Sequence, residues 1–332
     1  MITMTSKGLF CKAGNFYIDP MRAVDSAVIT HAHSDHARRG SLQYYTAQRG
    51  VSLLKARLGK NISVRGYAYG EKFNLNNAQV SFHPAGHILG SSQVRIEIGK
   101  KVWVASGDYK RDPDPTCEPF EVVPCDVFIT EATFGTPSYT WNKEVNLGKE
   151  IYDWWIQNAD RGVNSVLFAY SLGKAQRILG VLEPYAQKDI YCHSAVTPLN
   201  ECYREEGIKL ARTQCLSQID LSKQFSGELF LVPQSFLQTD QSKILGGQFE
   251  TAFASGWMAK NNFESGYDRG FVMSDHADWN DLVRTVKETG ARRVYVQHRG
   301  KGSLVRHLKS LGMEAFPAAE LFSRNPDQLA LF

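Results

Sequence analysis

His31-Ala32-His33-Ser34-Asp35-His36 packs three imidazoles and a carboxylate into one short stretch, directly after the apolar run Ala27-Val28-Ile29. A buried strand running into a loop of metal-ligating side chains explains both halves of this pattern. Imidazole nitrogen and carboxylate oxygen suit zinc, manganese and iron. On an extended strand end, residues two apart share a face, so His31 and His33 can grip one ion. Asp35 and His36 lie past the turn, where they can face a second ion.

The same arrangement recurs downstream. His87 sits in Pro84-Ala85-Gly86-His87-Ile88-Leu89-Gly90-Ser91, between the alternating stretches Ala78-Val80-Phe82 and Val94-Ile96-Ile98. Asp108 closes the apolar run Val102-Trp103-Val104-Ala105-Ser106-Gly107. A lone Gly-Asp is usually a turn. As the fourth member of an ordered ligand series, Asp108 is a candidate to bridge two cations. His276 and His298 follow the short strands Phe271-Val272-Met273 and Val294-Tyr295-Val296, each ahead of a helical pattern (279–289 and 303–311). His83, His193 and His307 lack this context.

Organisation changes along the chain. Residues 1–136 read as strands with few helices. After that, strand and helix alternate: helix over 144–158, strand 165–169, helix 174–182, strand 190–192, helix 197–206, strands 228–232 and 251–254. Alternation of this kind predicts a parallel sheet with helices on it. The strand-His-helix units after residue 270 return the chain to its first domain. Overall the pattern is α/β.

The ordered motifs resemble the metallo-β-lactamase superfamily, and within it the β-CASP nucleases. His-x-His-x-Asp-His is complete at His31–His36. Ala-Gly-His-Ile-Leu-Gly around His87 and Ser-Gly-Asp at Asp108 match, and Glu131 in Thr130-Glu131-Ala132-Thr133 falls on the next acidic motif. His276 and His298 match the last two motifs, although relatives often carry His-Gly-Glu where this chain has His298-Arg299-Gly300. The resemblance puts the family's first acid on Asp25, as an orienting carboxylate behind a ligand histidine. It implies a metallo-β-lactamase αββα sandwich (1–136 plus 271–332) with an inserted β-CASP parallel-sheet domain (137–270). The branch most similar is that of bacterial DNA-ligase-associated exonucleases.

The chemistry implied is phosphodiester hydrolysis with two divalent metal ions, zinc or manganese. One would be held by His31, His33, His87 and Asp108, the other by Asp35, His36, Asp108 and His298. His276, oriented by Glu131, would protonate the leaving oxygen. Arg38, Lys110 and Arg299 follow three of the ligand loops and are expected to face a phosphate backbone. The turn Ser171-Leu172-Gly173-Lys174 resembles the strand-to-helix turn of the inserted domain, with backbone N–H groups for a phosphate and Ser171, Gly173 and Lys174 as contacts. Tyr170, Trp257 and Trp279 are candidates to stack on bases. The tail residues Gln328, Leu329, Leu331 and Phe332 resemble a sliding-clamp-binding pentapeptide. The expected partners are therefore DNA, single-stranded or at ends, the ligase or helicase of a repair pathway, and the clamp. The alternative is a ribonuclease on the same scaffold. A small-molecule hydrolase and an inactive scaffold subunit fit the intact ligand set less well.

Composition sets the outer bounds. A net charge of +4 does not by itself announce nucleic acid. Six cysteines without a Cys-x-x-Cys pair read as reduced thiols in a cytoplasmic protein rather than a disulfide framework or zinc ribbon. No run of apolar residues is long enough to span a membrane, and the first ten residues lack a signal peptide's apolar core.

Overall fold

The computed structural model describes residues 1–220, 224–260, 266–298 and 300–322. Arg299 and the tail residues Gln328, Leu329, Leu331 and Phe332 lie outside the described residues. The chain divides into two compact units. One comprises Met1–Asp112, Cys117–Tyr139 and the chain from His276 onward; the other comprises Pro113–Thr116 and Thr140–Asp275. Six α-helices occur among the described residues: α1 (Val51–Leu58), α2 (Leu147–Ala159), α3 (Lys174–Leu182), α4 (Thr197–Glu205), α5 (Trp279–Glu288) and α6 (Lys301–Ser310).

The first unit contains two sheets. Sheet A runs in chain order: Ile2–Thr5, Gly8–Cys11, Phe16–Ile18, Ser26–Val28, Gln43–Ala47 and Val64–Tyr67. It opens as an antiparallel meander and turns parallel from Phe16–Ile18 onward. Sheet B is ordered Glu314–Pro317, Arg293–Val296, Val127–Thr130, Lys101–Ala105, Ser92–Ile98, Ala78–Pro84, Phe73–Leu75. Strand side chains alternate between faces, and sheet B uses both. Ala105 and Ile129 join Phe16, Val28 and Val80 in a core shared with sheet A. Their neighbours one residue earlier, Val104 and Phe128, pack instead with Leu282 and Val286 of α5 and Leu304 and Leu308 of α6. The buried face of α5 follows from that contact, and its start is set by Asp278, whose carboxylate accepts the Asp281 N–H at 2.8 Å.

The second unit is built on sheet C, a parallel sheet ordered Thr213–Cys215, Ile190–Cys192, Leu229–Val232, Asn164–Phe168, Phe249–Ala254, Arg269–Phe271. The two central strands are buried along their whole length, as expected where both faces of a parallel sheet are covered. Val166, Phe168, Phe230 and Val232 pack with Leu216, Phe236 and Ile244. Helix α2 lies against the strand Asn164–Phe168, with Asn158 Nδ2 donating to Ser165 Oγ at 3.0 Å.

Helix α3 and the strand Ile190–Cys192 have the bounds the residue pattern predicts. Helix α2 begins later than residue 144 because Asn146 caps it, accepting the Lys149 N–H at 3.0 Å. Helix α1 and the edge strands Thr213–Cys215 and Glu314–Pro317 escape the pattern, being short and half-buried. The units change over at 139/140 and 275/276, where the sequence suggests 136/137 and 270/271. The excursion Pro113–Thr116 into the second unit carries no compositional mark. No helix among the described residues is long and apolar enough to cross a membrane.

Candidate metal centre

All the histidines and carboxylates of the ligand series lie in the first unit. Each sits in a loop just past a strand end. His31, His33 and His36 follow Ser26–Val28; His87 follows Ala78–Pro84; Asp108 follows Lys101–Ala105; His298 follows Arg293–Val296. Glycines allow the loops to close. Gly86 has φ +71°, and a Cβ there would stand 2.4 Å from the Lys110 carbonyl oxygen. Gly107 has φ +57°, and its Cβ would meet Thr30 at 2.7 Å. Any larger residue would push His87 or Asp108 away from the first histidine cluster.

The donor atoms converge. His33 Nδ1 lies 3.1 Å from His31 Nε2 and 3.0 Å from His87 Nε2. Nitrogens on one tetrahedral cation, each bound at about 2.0 Å, would be roughly 3.3 Å apart. Asp108 Oδ2 faces His31 Nε2 at 3.7 Å, His87 Nε2 at 3.9 Å and His36 Nε2 at 3.4 Å. Asp108 Oδ1 faces His298 Nδ1 at 3.9 Å. The ligand atoms thus form two groups that share Asp108, His31-His33-His87-Asp108 and His36-Asp108-His298, each within 4.8 Å. Asp35 is 73 % exposed, with Oδ2 3.8 Å from His36 Nε2, at the edge of the second group.

These donors fit a pair of divalent cations. Asp108 Oδ1 is buried with no hydrogen-bond partner among the described residues, a costly state that a coordinated cation removes. The charges arrange themselves accordingly. Burial and the facing imidazoles of His36, His87 and His33 hold His31 well below the usual imidazole range, so it presents a lone pair. Burial also works against charge on His36, but the carboxylates of Asp108 and Asp19 override it and raise its pKa well above that range. Burial likewise opposes the Asp108 charge, and the imidazoles of His36 and His276 overcome it, holding that carboxyl well below its usual value.

The orienting carboxylate is Asp19, not Asp25. His36 Nδ1 donates to Asp19 Oδ2 at 2.7 Å. Thr30 Oγ1 donates to the same oxygen at 2.6 Å and lies 3.0 Å from His31 Nδ1, while the Thr30 N–H donates to Asp19 Oδ1 at 2.8 Å. One carboxylate thereby holds His36 directly and His31 through Thr30, turning both Nε2 lone pairs toward Asp108. Strand register decides the matter. Phe16–Ile18 pairs in parallel with Ser26–Val28, Ile18 opposite Val28, so Asp19 leaves its strand beside Ile29 and Thr30. Asp25 precedes that strand, at the end away from His31. It is exposed and lines a shallow surface hollow with Lys7, Tyr17 and Leu42.

His276 Nδ1 lies 3.0 Å from both oxygens of Glu131. Glu131 is itself buried and accepts the Tyr109 N–H at 2.7 Å and the Thr133 N–H at 3.3 Å. Asp108, Glu131 and His276 form a third convergent group. Thr133, which sequence reasoning missed, places its Oγ1 3.2 Å from His298 Nδ1. His298 has φ +65°, an uncommon backbone state for a non-glycine residue.

Several expected phosphate contacts are corrected. Lys110 is fully buried and does not present its ammonium to a ligand at the surface. Lys174 is also buried, its Nζ 2.8 Å from Asp275 Oδ1. The Gly173 N–H donates to Gln176 Oε1 at 2.7 Å, and the Ser171 carbonyl accepts from Gln176 Nε2 at 3.1 Å. The turn is therefore closed on its own helix rather than open to an anion. Arg38 is exposed. Tyr170 and Trp257 are 57 % and 40 % exposed, whereas Trp279 is half-buried, packed 5.1 Å from the His307 ring.

Fold and site together define an α/β protein with a His/Asp centre able to hold metal. No family model matches the chain. Over 95 % of its length it is 29 % identical to a protein of Opitutus terrae named "Probable DNA ligase", of which it covers 31 %. It is 26 % identical, over 49 % of its length, to an "RNase J-like protein" of Methanocaldococcus jannaschii, covering 44 % of that chain. Over 35 % of its length it is 31 % identical to the "Endoribonuclease YSH1" of Yarrowia lipolytica, covering 14 % of that chain. The chain thus spans less than half the length of each of these relatives. In fold it is similar to a protein of unknown function from Enterococcus faecalis, with a TM-score of 0.57, 14 % identity, and coverage of 83 % of this chain and 76 % of that one. With the ligand series, these relatives place the chain in the metallo-β-lactamase superfamily, among the β-CASP proteins.

Proposed function

We propose that this protein is a metal-dependent phosphodiester hydrolase that degrades DNA from an end during repair. The reading takes the two-sheet unit as the superfamily's αββα domain and the parallel-sheet unit as its inserted β-CASP domain. The carrying observation is the shared carboxylate: Asp108 joins two ligand groups and faces His276 at 4.0 Å. Bound there, two divalent cations would supply hydroxide near neutral pH and neutralise charge on the phosphoryl oxygens. In this reading His31, His33 and His87 hold one side, and His36 and His298, with Asp35 at the edge, hold the other. Asp19 fixes the ring orientations. Glu131 keeps a proton on His276 Nδ1 and stabilises the imidazolium, so the opposite ring nitrogen delivers a proton to the departing oxygen. Arg38 faces the phosphate backbone, and Tyr170 and Trp257 offer ring faces to bases.

DNA is favoured because the match spanning 95 % of this chain is to a protein named as a DNA ligase. That match occupies only part of the relative, which supports a ligase as repair partner. The second reading is a ribonuclease, favoured by the ribonuclease-named relatives. End-labelled single strands of DNA and RNA, matched in sequence, should be compared with manganese and with zinc. Preference for DNA of tenfold or more is expected. Preference for RNA establishes the second reading, and identical traces from the protein and its His31→Ala variant defeat both. Capture of the sliding clamp by the full chain, lost when residues 328–332 are removed, tests the tail.

A further inference from the structure

Helix α3 carries two buried cations in its first turns. Lys174 Nζ donates to the Met273 carbonyl oxygen at 2.6 Å and lies 2.8 Å from Asp275 Oδ1. Arg177 Nη1 donates to the Ser274 carbonyl oxygen and lies 3.4 Å from Asp275 Oδ1, while its Nε lies 3.3 Å from Asp114 Oδ2. Every member of this network belongs to the second unit. Two cations face two carboxylates, so charge is balanced. A buried quartet of this kind still contributes little net stability compared with apolar residues of the same size. Its geometry shows another use. It grips three consecutive residues, Met273, Ser274 and Asp275, and the next residue is His276.

We infer that Lys174 and Arg177 are positioning residues for His276, setting the backbone from which its ring reaches Glu131. The argument rests on the reading of His276 as the group that protonates the leaving oxygen. A ring held by Glu131 alone is anchored at one atom. Its Cα is placed by the chain that enters it, and that chain is held by buried charge up to the preceding residue. Asp114 lies six residues beyond Asp108, so Arg177 also ties the segment that leaves the shared carboxylate. Displacement of a proton donor by about 1 Å is enough to cost up to 100-fold in rate.

The test compares two phosphodiesters in cation-loaded protein. One is an oligonucleotide, whose alkoxide leaving group needs a proton; the other is bis(p-nitrophenyl) phosphate, whose aryl oxide leaves without one. Lys174→Met keeps Arg177 as a counter-ion for Asp275. The double variant Lys174→Met/Asp275→Asn removes both charges and keeps the Arg177–Asp114 pair, so a folded variant is available by one route or the other. Melting and cation content verify that each is intact. The ratio of aryl-ester to oligonucleotide rate is expected to rise tenfold or more in these variants, with His276→Ala showing the same rise. A proportionate fall on both substrates, or no change on either, overturns the inference while His276→Ala still shows the split. If His276→Ala lacks the split, the reading of His276 fails first and the inference falls with it.

Discussion

Asp19→Asn isolates the orienting carboxylate at almost constant volume. In the wild-type protein both Asp19 oxygens accept: Oδ1 from the Thr30 N–H at 2.8 Å, Oδ2 from Thr30 Oγ1 at 2.6 Å and from His36 Nδ1 at 2.7 Å. An asparagine cannot satisfy all three donors. If its amide nitrogen faces His36, that ring must take the opposite tautomer, and its Nε2 carries a proton where Asp108 needs a lone pair. If its nitrogen faces Thr30 instead, it opposes a backbone N–H. Loss of such an outer hydrogen-bond partner costs about 10–100-fold in metal affinity, or ~1.4–2.8 kcal/mol. The full loss is expected in the His36-Asp108-His298 group, which Asp19 holds directly. A smaller loss is expected in the His31-His33-His87 group, which it reaches only through Thr30. Competition with a chromophoric chelator, with metal content measured after gel filtration, reads both. Asp25→Asn is the matched control and should leave both affinities within about twofold. Equal affinities in Asp19→Asn and wild type, or a larger loss in Asp25→Asn, would refute the reasoning.

Three further outcomes follow from the same geometry. Asp108→Ala should abolish both cation sites, because both groups share that carboxylate, whereas His298→Ala should leave one; metal content per chain distinguishes them. Because Asp108 and Asp19 raise the His36 pKa well above the usual imidazole range, the free His36 is protonated at neutral pH and must shed that proton to ligate. Loading the second group should therefore release a proton and weaken as pH falls. His31, held well below that range, should release none, and titration calorimetry in buffers of differing ionisation enthalpy measures the difference. Burial pushes the Cys192 thiol up to about 12, so it should resist alkylation at pH 8 in the native protein and react once unfolded, as mass spectrometry of the labelled peptides would show.

Ligand identity was legible from sequence because the chemistry restricts it so tightly. Few residue types bind such cations, and here they cluster at the ends of short apolar runs, where a strand must stop and a side chain must project. His31, His33, His36, His87, Asp108, Glu131, His276 and His298 were all marked in this way, and the structure brings them together in the three convergent groups. The helical and strand periods of residues 165–206 were equally readable, since buried faces leave their spacing in the residue order.

What lay beyond the sequence was decided by neighbours far apart along the chain. Asp19 and Asp25 look alike in one dimension; only the parallel register of Phe16–Ile18 against Ser26–Val28 puts one beside Thr30 and leaves the other in solvent. Lys110 and Lys174 look like surface cations after a ligand loop and at a helix start, yet packing buries both. Local order thus determines which groups can do chemistry. The third dimension determines which of them are desolvated, which meet a partner, and so which retain a lone pair, a proton or a charge to use.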